Sequence, residues 1–393
     1  MKNRFYIFIL GILSVLSATA RENILLEKWK FYFGELNDAV KKNFNDSEWE
    51  NVIVPHDWAI DKPFDMRIDM QSVQVLEDGD KAPKMRTGRT GALPAFGIGY
   101  YRTSFKSDES MVGKRIRIEF DGAMSLAKVY LNGEYVGEWP YGYSSFAFDI
   151  TDKWNFNGEN IIAVRLENKP ESSRWYSGAG LYRNVRLVVT EPVSVGHWGT
   201  YITTPNVSAR KAGLNIETCV VNKTGNEVKV RLESLLMDAD GKLVKKSSST
   251  KSISGDKYIF TQKMSVSNPE LWSVENPYLY NVVSNVYVDN RLCDTYNTPM
   301  GFRSIRFDKD KGFFLNGESV KLKGVCLHHD LGPIGTAVNY RALERQLQMM
   351  QEMGCKQSVH RTILLHRNFL KCATEWDFWY RLRRSMNGVS ARM

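Results

Sequence analysis

Alternation of apolar and polar residues is the main signal in the first half of the chain. Residues 115–120 (RIRIEF) and 161–166 (IIAVRL) show the pattern of strands with one buried face. Turn dipeptides separate such segments: Asp121-Gly122, Asn132-Gly133 and Asn157-Gly158. Residues 128–137 (KVYLNGEYVG) are predicted to form a hairpin around their Asn-Gly pair. These features predict an antiparallel sandwich of jelly-roll type over residues 21–195.

A weaker strand pattern continues over residues 196–305. Residues 214–222, 227–236 and 280–288 alternate, and Asp240-Gly241 marks a hairpin turn. About 100 residues with this spacing are typical of a small immunoglobulin-like sandwich.

The pattern changes near residue 313. A tight turn at 314–318 precedes a strand predicted over 320–327, which ends at His328, His329 and Asp330. A helix follows, with Asn339 as its N-cap and Gly354 as its stop. Its predicted apolar face consists of Leu343, Leu347, Met350 and Met353. One strand and one helix cannot bury both faces alone, so further β/α units are expected. The predicted fold class is therefore mainly β.

The net charge of +9 is unevenly distributed over the 393 residues. Residues 356–393 hold eight basic and two acidic side chains, and Lys2 and Arg4 add two more positive charges near the N-terminus. The remainder is close to neutral and offers no broad basic face for nucleic acid, so we expect no nucleic-acid partner.

Residues 1–20 have the pattern of an export signal. Lys2 and Arg4 precede an apolar run, and Ala18-Thr19-Ala20 resembles a cleavage site. No cysteine follows directly, so we expect no lipid anchor and a periplasmic or secreted protein with no membrane anchor after cleavage. An uncleaved membrane anchor is the alternative.

The five cysteines are an odd number and widely spaced, without a C-x-x-C pair. Neither a zinc site nor a disulfide framework is indicated, and we expect no metal and no cofactor.

Five stretches of the sequence together carry a resemblance to a known family. They are residues 49–58 (WENVIVPHDW), 99–102 (GYYR), 172–185 (SSRWYSGAGLYRNV), 269–280 (PELWSVENPYLY), and 301–303 with 324–332 (GFR and GVCLHHDLG). In this order they resemble glycoside hydrolase family 2, which includes β-galactosidases, β-glucuronidases and β-mannosidases. The last stretch is more similar to exported bacterial β-galactosidases than to glucuronidases.

The resemblance implies a jelly-roll sugar-binding domain, an immunoglobulin-like domain and a catalytic (β/α)₈ barrel, which residues 306–355 would begin and which is incomplete here. It also implies retaining hydrolysis by two glutamates, one acting as acid and one as nucleophile. In the family both come from later barrel strands, so no catalytic residue is assigned here and we expect this chain to be inactive. Metal use, the sugar, the linkage and the oligomeric state stay open.

Two groups of residues are candidates for substrate binding. His328, His329 and Asp330 follow the first predicted barrel strand, at the face where such barrels bind substrate. The resemblance places the loop with Arg174, Trp175 and Tyr176 near that site, although packing between domains is the stronger interpretation of this loop. Aromatic residues make up 12% of the chain, which suits both a β-rich core and stacking on sugars.

Residues 356–393 depart abruptly from the family pattern. With suitable codons, residues 361–368 shifted by one frame encode His-Asn-Pro-Pro-Ala-Pro-Glu, which is similar to the family's second barrel strand. We therefore expect a frameshift just after Cys355 and a non-native tail over 356–393. A native basic helix over residues 368–384 is the alternative.

Two functions compete at this stage. The first is a β-galactosidase-like hydrolase, of which this chain is the N-terminal portion. The second is a non-catalytic protein that binds carbohydrate through its two sandwiches. Both predict a β-galactoside or related glycan as partner.

Overall fold

The computed structural model describes residues 21–63, 68, 70–75, 79, 81–89, 95–170, 172, 175–322, 324–355, 357–360 and 379–382. The predicted export signal, residues 1–20, lies outside the described residues, as does most of the predicted tail. Within the described part, no helix is both long and apolar enough to cross a membrane.

The first half forms an antiparallel β-sandwich. Its strands are β1 (Arg21–Leu25), β2 (Lys28–Phe33), β3 (Glu50–Ile53), β4 (Met70–Val75), β5 (Lys84–Arg89), β6 (Gly97–Lys106), β7 (Arg115–Phe120), β8 (Ala127–Leu131), β9 (Glu134–Trp139), β10 (Phe146–Asp149), β11 (Glu159–Asn168) and β12 (Val185–Thr190). Short 3₁₀ turns lie at Glu109–Met111 and Thr151–Lys153. One sheet has the order β1-β12-β7-β10 and the other β3-β2-β6-β11-β8-β9, while β4 and β5 pair separately.

Alternate residues of the two sheets meet in one core. Ile116, Ile118 and Phe120 of β7 are buried together with Ile162 and Val164 of β11, as a strand with one buried face requires. The predicted hairpin is confirmed, because β8 and β9 pair around the Asn-Gly turn.

The second sandwich has seven strands. They are β13 (Val193–Thr203), β14 (Lys211–Asn222), β15 (Val228–Met237), β16 (Leu243–Ile253), β17 (Lys257–Ser267), β18 (Tyr280–Val288) and β19 (Arg291–Met300). Three form the sheet β13-β14-β17 and four form β16-β15-β18-β19. Leu214 and Ile216 of β14 pack with Val282 of β18 between the sheets. This architecture confirms the predicted immunoglobulin-like class.

A three-stranded antiparallel sheet follows the second sandwich. It consists of β20 (Ile305–Asp308), β21 (Gly312–Leu315) and β22 (Glu318–Ser319). The predicted strand over 320–327 was too long at its start, since β23 covers only Gly324–Leu327. The backbone N–H of Val320 donates to the carbonyl of Phe313, and this bond keeps Val320 with the small sheet instead.

Three parallel strands lie at the end of the described chain. β23 pairs with β24 (Gln357–His360), which pairs with β25 (Trp379–Leu382). A 3₁₀ turn (Gly332–Ile334) and the helix α1 (Tyr340–Glu352) connect β23 to β24. The parallel sheet thus extends beyond the single β/α unit that the sequence predicts. Its backbone pairing does not test the predicted frameshift, which stays a prediction.

The capping of α1 follows the sequence closely. The Asn339 side-chain oxygen accepts from the N–H of Ala342 at 3.1 Å, and Leu343, Leu347 and Met350 are buried. The prediction was wrong for Met353, which is 72% exposed. It is the C-cap residue and lies beyond the last turn that contacts the core.

Candidate functional site

Asp57 is the centre of a seam between the first sandwich and the segment after β23. Its side chain is almost fully buried in the turn that follows β3. Oδ1 accepts from the backbone N–H of Ala59 at 3.1 Å and from that of Ala179 at 2.9 Å. Through this oxygen atom, Asp57 therefore holds two loops of the first sandwich together.

The other carboxylate oxygen extends this network to the segment after β23. Oδ2 of Asp57 accepts from the Tyr176 hydroxyl and from both the N–H and the hydroxyl of Thr336, each at 2.8 Å. Burial, with the adjacent carboxylate, raises the pKa of Tyr176 well above its usual range. Tyr176 therefore keeps its proton and remains a donor to Asp57.

Close backbone packing accompanies these hydrogen bonds. A Cβ on Gly178 would lie 1.9 Å from the Thr336 hydroxyl oxygen, so Thr336 fits only against a glycine. The N–H of Val338 donates to the carbonyl of Tyr182 at 2.9 Å. The loop 175–182 and residues 336–338 are consequently held in one arrangement.

An aromatic cluster lies next to this seam. The Trp175 indole N–H donates to the Tyr143 hydroxyl at 2.9 Å, and the ring centroids of Trp175 and His328 are 5.4 Å apart. Tyr143 and Tyr182 contact His329 edge to face, at 5.2 Å and 5.4 Å. The cluster combines ring faces with polar edges, as surfaces that bind sugars require.

The electrostatics of the cluster favour neutral hydroxyl groups. Burial raises the pKa of Tyr143, and it raises the pKa of Tyr182 to about 12. Both phenols therefore stay protonated at ordinary pH. The Tyr182 hydroxyl donates to the carbonyl of Gly142 at 2.9 Å, which fixes its ring beside His329.

The structure brings together five of the six predicted binding residues. Trp175 contacts His328, while His329 packs between two tyrosines. His328 and Asp330 are exposed, and the Asp330 carbonyl accepts from the Gln346 side chain at 3.2 Å. The Tyr176 hydroxyl donates to Asp57 in the seam. Arg174 lies outside the described residues. Substrate contact by these residues stays a prediction.

Sequence reasoning missed Tyr143 and Thr336. Tyr143 lies in the β9–β10 connection, and no spacing links it to His329, 186 positions later. In the turn at 56–58 the Asp57 carboxylate is fully hydrogen-bonded, whereas the Trp58 indole nitrogen makes no hydrogen bond within the described residues.

Between the end of β23 and the start of α1, the described residues include one acidic side chain, that of Asp330. Among all the described residues, no group of three or more His, Cys, Asp or Glu could hold a metal ion.

Two family profiles match most of the two sandwiches. The profile of the glycosyl hydrolases family 2 sugar binding domain matches residues 24–192. That of glycosyl hydrolases family 2 itself matches residues 199–303.

Similar proteins come from several bacteria. The β-galactosidase BoGH2A of Bacteroides ovatus is 42% identical over 83% of this chain and 37% of its own length. A β-glucuronidase of Formosa agariphila is 32% identical over 75% of this chain and 31% of its own length. The crystal structure of a glycosyl hydrolase family 2 member from Bacteroides cellulosilyticus has a TM-score of 0.84 at 31% identity, over 91% of this chain and 45% of that one. This chain thus spans less than half the length of these relatives.

Proposed function

The chain belongs to glycosyl hydrolase family 2, and we propose that it is the N-terminal part of a β-galactosidase-type enzyme. Its 42% identity to a β-galactosidase is the observation that carries this proposal. The second support is geometric, because the loop with Trp175 lies against the end of β23. In (β/α)₈ enzymes, substrates bind at the carboxyl ends of the strands.

In the proposed reaction, the residues of this chain bind and orient the sugar. Trp175 offers a ring face, and exposed His328 offers hydrogen-bonding nitrogens beside it. Asp57, Tyr176 and Thr336 act as positioning residues that hold the loop 175–182 against the segment after β23. Retaining hydrolysis itself needs two carboxyl groups roughly 5 Å apart, and in this proposal they come from other parts of the full-length enzyme.

The 393-residue chain alone is therefore proposed to hydrolyse no glycoside. Between the end of β23 and the start of α1, the described residues include one acidic side chain, that of Asp330. We expect no release of nitrophenol from 4-nitrophenyl β-D-galactopyranoside by the purified chain. Turnover that co-purifies with the chain would contradict this proposal.

A longer polypeptide tests the galactosidase assignment. The DNA after codon 355 is resequenced, and the frame that restores the His-Asn-Pro-Pro motif is expressed in continuity with residues 21–355. We expect this protein to hydrolyse the galactoside faster than 4-nitrophenyl β-D-glucuronide. In the same protein, Trp175→Ala is expected to raise KM about tenfold, whereas Trp139→Ala should leave it unchanged. A faster reaction with the glucuronide would instead favour the glucuronidase relatives.

The frameshift has a separate outcome in this experiment. An intact reading frame at codon 355, with no His-Asn-Pro-Pro motif in the neighbouring frame, would end the idea of a non-native tail. The restored motif in that frame would support it.

A non-catalytic carbohydrate-binding protein is the second candidate. The aromatic cluster at the seam favours it, since Trp175 contacts both Tyr143 and His328 there. Titration of the chain with galactose tests it. Millimolar affinity that Trp175→Ala abolishes would support this candidate.

We further propose that the chain is exported to the periplasm or the medium. The apolar run and the A-x-A-like site in residues 1–20 support this proposal. Cell fractionation and the mass of the mature N-terminus test it. A mature chain that begins at Arg21 is expected, and full-length chain in the cytoplasm would contradict it.

A further inference from the structure

A polar cleft of about 340 Å³ lies where the two sandwiches meet. Strands β1, β7 and β12 line one side, and β13 and β19 line the other. Its volume falls within the ~300–1,000 Å³ that is usual for small-molecule sites. The residues that line it are different from those of the seam around Asp57.

The arginines of the cleft are paired with carboxylates. Arg21 contacts Asp294 through two hydrogen bonds of 3.0 Å and 2.7 Å. Arg117 donates to Glu119 at 2.9 Å, and Arg186 donates to the same carboxylate at 3.4 Å. Because these charges compensate one another, the cleft suits a neutral ligand with many hydroxyl groups better than an anion.

Glu119 also joins the two sandwiches across the cleft. His197 of β13 lies with its Nδ1 2.9 Å from the Glu119 carboxylate. Burial alone would raise the pKa of Glu119. Contacts with His197 and Arg117 outweigh burial and lower this pKa to about 2. The carboxylate therefore stays ionised, and its partners stay fixed in place.

Two amide side chains add hydrogen-bonding groups with unused capacity. Asn23 of β1 and Asn184, just before β12, both line the cleft. Neither side chain makes a hydrogen bond to another residue in the part of the chain that the structure describes. Each amide can offer donors and an acceptor to sugar hydroxyls.

Trp198 is an exposed aromatic residue at the rim of the cleft. Its indole N–H donates to the Ser145 hydroxyl at 3.0 Å, while 55% of the residue is exposed. The pairing of β13 with β14 shifts register between Val195 and Thr200, and Trp198 has a φ of +50°. Bulged strands and positive φ at a bulky residue are uncommon and concentrate at functional sites. In this protein the bulge and the positive φ accompany an exposed Trp198 ring whose position is fixed by the hydrogen bond to Ser145.

We propose that this cleft binds a neutral saccharide unit, stacked on Trp198 and hydrogen-bonded by Asn23 and Asn184. The site requires no catalytic carboxylate, so its occupancy is independent of hydrolysis.

Calorimetric titration of the 393-residue chain with lactose and with a galacto-oligosaccharide tests this proposal. Millimolar or tighter binding of at least one probe is expected. Trp198→Ala should weaken it about tenfold, Asn184→Ala should also weaken it, and Trp198→Tyr should retain most of the affinity. Circular dichroism verifies that each variant is folded.

Trp139 supplies a matched control. It is also an exposed tryptophan, 37% exposed, and its indole N–H donates to Ser144 in the same β9–β10 connection at 2.9 Å. Trp139→Ala should bind as the parent chain does. Absence of binding to either probe would overturn the proposal, and so would binding that Trp175→Ala removes but Trp198→Ala leaves intact. Neither result would bear on the hydrolysis assay.

Discussion

Asp57 joins three parts of the chain through one buried carboxylate. Its five hydrogen bonds reach its own turn, the loop 175–182 and Thr336. Such a residue positions others without touching a ligand itself. The candidate binding site at the seam therefore depends on a side chain that a list of sugar-contacting residues would omit.

Removal of this carboxylate is expected to destabilise the chain. Asp57→Ala leaves several buried donors without an acceptor, each at a cost of about 1–3 kcal/mol, so the loss should be at least about 3 kcal/mol. Urea unfolding of both proteins measures it. Asp61→Ala is the control, because that side chain is 66% exposed, and a similar loss in both variants would contradict the role given to Asp57.

Glu119 should make stability depend on acid pH. Its pKa in the folded chain is about 2, against an ordinary value of 4.5. A lowered pKa contributes stability above about pH 4.5, and that contribution is lost as the pH falls toward 2. We expect about 3 kcal/mol from this group.

Glu119→Gln tests this pH dependence. The difference in unfolding free energy between parent and variant should shrink as the pH falls from neutral toward 2. The control variant Glu159→Gln, at an exposed carboxylate, should follow the parent at every pH. A difference for Glu119→Gln that does not change with pH would contradict the assignment.

At the scale of elements, the loop 175–182 and the segment after β23 form one unit. The loop belongs to the first sandwich, whereas Thr336 and Val338 follow a strand of the parallel sheet. Their contact depends on Gly178, where any side chain would overlap Thr336. The order of elements alone does not reveal this contact.

Gly178→Ala should destabilise the chain by more than the strain of placing alanine at a positive φ. Gly178 and Gly225 both have positive φ, at +67° and +77°, but a Cβ on Gly225 would meet nothing within 4 Å. Alanine at either position costs about 1–2 kcal/mol in backbone strain. The overlap with Thr336 should add about 1–3 kcal/mol for Gly178→Ala alone. Equal losses for both variants in urea unfolding would contradict the packing at Thr336.

At the scale of the whole molecule, a buried ion pair ties the two sandwiches together. Arg21 of β1 contacts Asp294 of β19, whose side chain is fully buried. Asp294 also accepts from the backbone N–H of Val195 at 2.7 Å. The two sandwiches should therefore unfold together rather than as separate units.

Loss of this pair should uncouple the sandwiches. Asp294→Ala leaves a buried guanidinium without its partner, at a cost of about 3–5 kcal/mol. Scanning calorimetry should then show two separate transitions instead of one. In Asp256→Ala, the lost pair with Lys223 is exposed and is worth about 0–1 kcal/mol, so one transition should remain. A single transition in Asp294→Ala would contradict the coupling.

Local patterns predicted much of the fold. β7 and β18 begin and end where the alternation predicts, and Asn339 caps α1 as expected. Predictions failed where distant contacts compete with local pattern. Val320 pairs with the small sheet, and Met353 lies past the point where α1 touches its core.

The sequence by itself determined the class of the sandwiches, the order of the domains and the family, because period-two alternation, turn residues and motifs are local features. Only the tertiary structure decided which side chains meet. Asp57 and Thr336 lie 279 positions apart, and Trp198 reaches its cleft through a bulge and a bond to Ser145. Such contacts depend on how packed sheets bring distant loops together, which no pattern along the chain encodes.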